Sequence, residues 1–270
     1  MKNFNLVIIG AGPGGYPAAL LASQKGLKVL LVEKDNLGGV CLNSGCIPTK
    51  FFLHGSGIYQ SIEEAGAYGV DAENIRLDYK KLKEKKDALV VSLRKGVEFL
   101  LNKRGVIVAK AEAEIISENT LLLKHNGREE TVKADNIIIA AGSHPVELKG
   151  LEFNGSDILS SESILKLGSL MKSLLVVGGG VIGVEFAEHF ARSGVEVHIV
   201  EAMDRILPKE DAGVSKILET ALKKTGIGIY TSTGVKEIKK EKGLLEVVLE
   251  NGRQLTCEKI LVAVSRRPNT

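Results

Sequence analysis

Two of the three cysteines in this 270-residue chain, Cys41 and Cys46, stand close together in the stretch GGVCLNSGCIPTK (38–50). A pair at that spacing could hold a metal, form a structural disulfide, or form a disulfide that opens and closes during a reaction. Cysteine-based zinc sites usually combine a C-x-x-C pair with a second ligand cluster. Here four residues separate the cysteines, Cys257 stands alone, and none of the five histidines forms a pair with ligand spacing, so no metal is expected. With only three cysteines a disulfide scaffold is also disfavoured, and a reducing, cytoplasmic setting is expected. A reversible disulfide needs a thiolate, which nearby positive charge and a helix N-terminus favour. Lys50, four residues past Cys46, brings such a charge to the same helical face.

The elements that must position this pair come from an internal duplication. NLVIIGAGPGGYPAALLASQKGLKVLLVEK (5–34) is echoed by SLLVVGGGVIGVEFAEHFARSGVEVHIVEA (173–202). Gly10, Gly12 and Gly15 recur 168 positions on as Gly178, Gly180 and Gly183, and Ala19, Gly26 and Glu33 recur as Ala187, Gly194 and Glu201. Each copy reads as strand, glycine turn, helix and strand. In such a unit the first glycine permits a tight turn, the second lets the backbone approach a pyrophosphate, and the third allows close helix packing. The helix N-terminus offers amide donors to phosphate, and Glu33 and Glu201 fall where a carboxylate accepts hydrogen bonds from a ribose. Gly26 and Gly194 are expected to end the helices. The chain is therefore expected to bind two dinucleotides, which favours a reversible disulfide beside a flavin.

Between the copies, Asp78 is placed to cap a helix running to about Lys103, with Leu82, Leu89, Leu93, Val97 and Leu100 as its core stripe. Val106 to Ile139 reads as strands with a hairpin at Asn126-Gly127, and a second hairpin turns at Asn251-Gly252. The segment from Val146 to Ser173 reads as a connection between domains. The formal net charge of +3 is small for the length, and the densest basic run, KKLKEKK (80–86), reads as a solvated helix face, so no nucleic acid is expected. No apolar run approaches the roughly 18 residues of a membrane span, and the apolar pattern beginning at Met1 does not read as a signal peptide.

In order along the chain, the first dinucleotide unit, GGVCLNSGCIPTK, IIIAAGSHP (137–145), the second dinucleotide unit and ILVAVSRRPNT (260–270) resemble the pyridine nucleotide-disulfide oxidoreductases over the whole length. The leucine and isoleucine of CLNSGCIP are most similar to the dihydrolipoamide-oxidising branch. The resemblance implies an α/β fold with two Rossmann-like dinucleotide-binding domains, each with an inserted β-meander. Residues 1–146 would be the FAD-binding domain and 147–270 the NAD-binding domain. It implies oxidation of protein-bound dihydrolipoamide, with electrons passing through a Cys41–Cys46 disulfide and FAD to NAD⁺. Cys41 would be the interchange thiol and Cys46 the flavin-facing one, with Lys50 paired to Glu185. A surface carboxylate is the plain alternative for Glu185, since the first copy has Pro17 there. FAD and nucleotide contacts are implied at Gly10, Gly12, Gly14, Gly15, Glu33, Lys34, Gly39, Val40, Cys41, Cys46, Lys50, Ala113, Ala141, Gly142 and Ser143. Further contacts are implied at Gly178, Gly180, Val181, Ile182, Gly183, Glu201, Val264 and Arg267.

At the second site Glu201 accepts a 2′-hydroxyl and repels a 2′-phosphate. Ala202 and Pro208 stand where NADP-using relatives would carry arginines, so NAD is expected, with NADPH-dependent disulfide reduction as the alternative. Arg205 is the nearby basic residue. Val40, Ser44, Ala141 and Ser265 depart from the residues usual in the family. The resemblance also implies a lipoyl domain of a 2-oxo acid dehydrogenase or glycine cleavage complex as partner, and a homodimer in the full-length enzyme. The family's C-terminal FAD segment and interface domain, with its acid–base His–Glu pair, have no counterpart in these 270 residues. The chain by itself is therefore expected to be an inactive nucleotide-binding fragment.

Overall fold

The computed structural model describes residues 2–241 and 243–270; Met1 and Lys242 lie outside the described residues. The chain divides into two compact units. One comprises residues up to Pro48, Asp87–His144 and Pro268–Thr270; the other comprises Thr49–Lys86 and Pro145–Arg267.

The first unit is organised by a six-stranded sheet. Its elements begin with β1 (Lys2–Ile9), α1 (Gly15–Gln24) and β2 (Val29–Glu33), followed by α2 (Gly39–Ser44), which carries the first cysteine. Helix α3 (Cys46–Glu63) begins in this unit and continues into the second, and α4 (Tyr79–Lys103) returns from it. Strands β3 (Ile107–Lys110), β4 (Glu112–Ser117), β5 (Thr120–His125), β6 (Arg128–Ile139) and β7 (Ser143–Pro145) follow. The order is β3-β2-β1-β6-β5-β4. β3, β2, β1 and β6 run parallel, whereas β4, β5 and β6 form an antiparallel meander. Residues 6–9 of β1 and 29–32 of β2 are apolar on both faces, as a strand covered on both sides requires. The Asn126-Gly127 turn is as expected: both residues have positive φ, and His125 pairs directly with Arg128.

In the second unit, β8 (Ile158–Ser160), β9 (Ser173–Val177), α5 (Val181–Arg192), β10 (Glu196–Val200), α6 (Ala212–Lys224) and β11 (Gly228–Tyr230) precede a meander of β12 (Val235–Glu241), β13 (Leu244–Leu249) and β14 (Gln254–Cys257). β15 (Lys259–Val262) and β16 (Arg266–Pro268) complete it. The parallel sheet has the order β11-β10-β9-β15-β8, so β11-β10-β9-β15 repeats β3-β2-β1-β6. The structure therefore has two Rossmann-like sheets, each with a meander inserted before its fourth parallel strand. α1 and α5 both end at a left-handed glycine, Gly26 (φ +84°) and Gly194 (φ +85°).

Three expectations need correction. The segment from Val146 to Ser173 is more than a connection: β8 extends the parallel sheet beside β15, and Leu159, Ile164 and Leu165 are buried. Three residues make too short a run for an alternating pattern to stand out. The α4 cap is as expected, with Asp78 Oδ1 accepting from the Lys81 N–H at 2.9 Å. Its stripe, however, is Val90, Val97 and Leu101, while Leu93 and Leu100 are exposed. Val97 is in the seam as expected and Leu82 packs on the second unit's core, but Leu93 and Leu100 lie beside the seam, and the structure alone selects which flank meets the sheet. Lys86 is not on a solvated face. It is buried, its ammonium donating to Leu165 O at 3.0 Å and lying over the Phe52 ring. A carbonyl and a ring face supply what water otherwise would.

Candidate functional site

Both glycine turns are dictated by the protein's own backbone. Gly10 and Gly178 have φ of +99° and +109°, and a Cβ on them would meet Ala140 O at 2.2 Å and Ala263 O at 2.6 Å. A Cβ on Gly15 would meet Gly10 O at 1.8 Å, and one on Gly183 would meet Gly178 O at 2.0 Å. Gly180 and Gly14 differ: a Cβ on Gly180 would meet nothing within 4 Å, and one on Gly14 only Ala140 Cβ at 3.9 Å. Gly14 and Gly180 are the N-caps of α1 and α5, and neither helix has a side-chain cap. Val181, Ile182 and Gly183 open α5, where first-turn N–H groups have no acceptor within the helix. An open glycine face at an uncapped helix start fits a pyrophosphate in the second unit; in the first, Gly14 is equally open, but the Gly15 and Tyr16 N–H groups already donate to Gly12 O at 2.9 and 3.1 Å.

The two ribose-position acids share one geometry. Glu33 accepts from the N–H groups of Ala11 (Oε2, 2.8 Å) and Asp35 (Oε1, 2.8 Å). Glu201 accepts from those of Gly179 (Oε2, 2.6 Å) and Met203 (Oε1, 2.8 Å). Each carboxylate thus ties its own glycine turn to the end of the second strand, and each oxygen retains further acceptor capacity for a hydroxyl. Arg205 donates to Pro208 O at 3.1 Å and pairs with Asp204. Lys34 makes an exposed pair with Glu112 at 3.6 Å.

The cysteine segment docks on the first turn. The Gly38 N–H donates to Ala11 O at 2.8 Å, and a Cβ on Gly39 (φ +58°) would lie 2.5 Å from Gly12 Cα. Cys41 lies partly buried on α2, next to Val40; Gly45 breaks the chain direction; Cys46 opens α3 and is exposed. No disulfide joins the two in this structure. Asn43, between them, was not singled out from the sequence. Its Nδ2 donates to Leu37 O (2.9 Å) and Gly39 O (2.8 Å), and its Oδ1 accepts from Arg94 Nε at 3.1 Å. An asparagine inside a glycine-flanked cysteine segment is the signal that could have found it. Cys257 is buried on β14, and burial pushes its thiol up to about 12, which suits a core residue and not a redox thiol.

Ala141 also reaches the first turn: its Cα would lie 3.3 Å from a Cβ on Gly10. Asn269 holds this segment, its Nδ2 donating to Ala141 O at 2.7 Å and its N–H to Gly142 O at 3.0 Å; Ser143 follows on β7. Ala113 lies on β4, paired with Leu123 and half-buried. In the second unit Val264 lies against Gly178, whereas Arg267 is exposed on β16. Lys50 and Glu185 are paired directly, Lys50 Nζ donating to Glu185 Oε1, with the lysine side chain 61% and the glutamate 23% exposed. His54 is exposed on α3. Among the described residues no cluster of three or more metal-ligating side chains occurs, and no helix is long and apolar enough to cross a membrane.

Comparison with known proteins agrees with this geometry. The chain is 38% identical over 268 residues to a dihydrolipoyl dehydrogenase of Bacillus subtilis, covering 97% of this chain and 58% of that protein. It is 41% identical over 276 residues to that of Thermus scotoductus, covering 100% and 59%. Among solved structures, LpdA from Mycobacterium tuberculosis superposes with a TM-score of 0.91 at 25% identity, covering all of this chain and 60% of that one. The HOCl-induced flavoprotein disulfide reductase RclA from Escherichia coli gives 0.84 at 30% identity, covering 98% and 57%. The chain thus spans about three fifths of the length of these relatives. Residues 4–270 match the family described as pyridine nucleotide-disulphide oxidoreductase, and the chain belongs to it.

Proposed function

We propose that this chain carries the dinucleotide-binding and disulfide-bearing part of a dihydrolipoyl dehydrogenase. The observation that carries the reading is the docking of the cysteine segment on the first glycine turn through Gly38 and Gly39, which sets a dithiol beside an open dinucleotide cradle. In this reading residues 1–146 bind FAD and 147–270 bind NAD. Gly10, Gly12, Gly14, Gly15, Glu33, Lys34, Gly39, Ala141, Gly142 and Ser143 hold FAD, and Gly178 to Gly183 with Glu201 hold NAD. FAD, when bound, supplies two-electron transfer between a dithiol and the nicotinamide. The protein's own part is thiol exchange. Cys41 takes one sulfur of the dihydrolipoyl group as the Cys41–Cys46 disulfide opens. The second substrate sulfur then closes the substrate disulfide and leaves both cysteines reduced. Lys50 lies one helical turn beyond Cys46, and Glu185 holds its ammonium.

NAD is favoured over NADP by Glu201, whose charge repels a 2′-phosphate, and by the commitment of Arg205 to Pro208 and Asp204. The partner is the lipoyl domain of a 2-oxo acid dehydrogenase or glycine cleavage complex, and the full-length enzyme is a homodimer. The 270-residue chain alone is inactive in this reading, because no histidine takes the family's acid–base role. The test is direct binding. NADH should bind the purified chain at least roughly tenfold more tightly than NADPH, a difference of about 1.4 kcal/mol. Flavin should bind equally well to the chain and to its Cys46→Ser variant. Tighter NADPH binding would overturn the assignment of Glu201, and loss of flavin on Cys46→Ser would overturn a purely redox role for that thiol.

A further inference from the structure

The Lys50–Glu185 pair joins α3 to α5, and the rest of that contact is a buried ring stack. His189, one turn beyond Glu185, is fully buried, as are Ser56 and Phe52 of α3. The imidazole lies flat on Phe52, with centroids 4.9 Å and planes 5° apart, and Tyr79 and Phe190 pack around it at 6.1 and 4.8 Å. His189 Nδ1 is 3.1 Å from Ser56 Oγ, and Ser56 Oγ lies 3.2 Å from Leu53 O. The hydroxyl has one proton. Donated to Leu53 O, it leaves Oγ to accept from an N–H on Nδ1, and this is the tautomer taken here. Nε2 is then a bare nitrogen, and it is buried without a partner. Lys86 already places an ammonium over the same Phe52 ring, 5.4 Å from its centroid. A second charge at His189 would sit in the same dry contact, with only the Phe52 backbone carbonyl favouring it. Burial accordingly holds the His189 pKa down, to about 4. Among the titratable groups of the packed helices, Tyr79 of α4 lies against the ring itself; α3 also carries Cys46, Lys50, His54, Tyr59 and Glu63, α5 carries Glu185, Glu188 and Arg192, and the start of α4 carries Lys80, Lys81, Lys83, Glu84, Lys85 and Asp87.

We propose that His189, as the neutral Nδ1–H tautomer donating to Ser56, is the positioning residue that fixes α3 on α5 and so keeps the Lys50 ammonium on the Glu185 carboxylate. The contact stands on its own geometry; its consequence for a flavin rests on the function proposed above. Two sets of residues make up this α3–α5 contact. The outer one, Lys50 with Glu185, is exposed and weak by itself. The inner one, Phe52 and Ser56 with His189, is dry, and its hydrogen bond has a direction that permits one ring orientation only. Rotating α5 to expose Nε2 would break both sets together.

The test uses nuclear magnetic resonance on the 270-residue chain without added flavin. In ¹⁵N-histidine-labelled protein near neutral pH, the unprotonated His189 nitrogen should couple to both ring carbon protons, the mark of Nε2. In ¹⁵N-lysine-labelled protein at low temperature, the ion-paired Lys50 ammonium should give a resolved signal, identified by its loss in Lys50→Arg. That signal should persist in His189→Asn, whose amide N–H replaces Nδ1–H, and disappear in His189→Leu and in Ser56→Ala. Persistence in both of the last two variants would reduce His189 to core filling and overturn the proposal. Should those variants fail to fold, the wild-type spectrum still decides: an Nε2–H tautomer, or titration at the ordinary histidine value, overturns it. A flavin-loaded sample separates the two readings. Unchanged flavin absorption in His189→Leu, with the Lys50 signal lost, would count against Lys50 as a flavin-side residue and leave the positioning role intact.

Discussion

The two dinucleotide units have the same turn but different helices. Gly10, Gly15 and Glu33 repeat as Gly178, Gly183 and Glu201 in sequence: Gly10 and Gly178 share a positive φ, both glycine pairs share a backbone clash for any Cβ, and the two carboxylates accept from equivalent amides. On the helices, Ala18, Leu21 and Ala22 of α1 become Phe186, His189 and Phe190 of α5 at the same offset. Leu21 is 58% exposed, whereas its counterpart His189 is fully buried. The second unit carries an extra helical layer, the Thr49–Lys86 segment, whose Phe52 and Tyr79 cover α5. Duplication preserved what the backbone demands and left each helix's outer face to follow what packs on it.

The sharpest way to break that comparison is truncation at matched helices. Phe190→Ala should cost roughly 3–5 kcal/mol, as for a large buried aromatic, while Leu21→Ala should stay within about 0.5 kcal/mol; urea unfolding of each variant measures both. Acid should separate the units next. An unfolded histidine takes up its proton near pH 6.5, but folded His189 does so only near 4. Between those values the unfolded state binds more protons, so stability rises with pH. The contribution is complete above about pH 6.5, is lost as pH falls toward 4, and totals roughly 3 kcal/mol. His189→Asn should remove that part of the pH dependence, and no Leu21 substitution should change it.

Two further experiments sharpen the likeness of the turns. Gly15→Ala and Gly183→Ala each press a methyl onto a turn carbonyl, and each should cost roughly 1–3 kcal/mol, the usual range for overpacking. A cost at only one would show that the turns are not equivalent. Glu33→Gln and Glu201→Gln each turn an amide toward a backbone N–H that had an acceptor, at roughly 1–3 kcal/mol where that N–H is buried. Glu201 is nearly buried and Glu33 less so, so the loss at 201 should be the larger. Thermal unfolding without nucleotide checks this apart from any ribose contact.

Much of the fold and of the candidate site was legible because it is local. The glycines announce positive φ, Asn126-Gly127 announces a two-residue hairpin, Asp78 announces a helix start, and a repeat of 168 positions pairs one turn with the other. Those features depend on a few neighbouring residues, and chain chemistry is enough to set them. Lys50 and Glu185 were paired only through the family resemblance; nothing along the chain joins residues 135 apart.

What the tertiary structure alone decided is which surface meets which. Lys86, in a run that reads as solvated, is buried because Leu165 O and Phe52 happen to receive it. The stripe of α4 is set by the sheet beneath it, and the short β8 is a strand only because β15 offers it an edge. Glu33 and Glu201 sit at ribose spacing by sequence, yet their first partners are backbone amides that only the folded turn brings within reach. His189 is an unremarked histidine until Phe52 and Ser56 of a distant helix close over it. Periodicity and turn chemistry are properties of a segment; burial and hydrogen-bond partnership belong to pairs of segments, whose meeting is fixed by the packing of the whole unit.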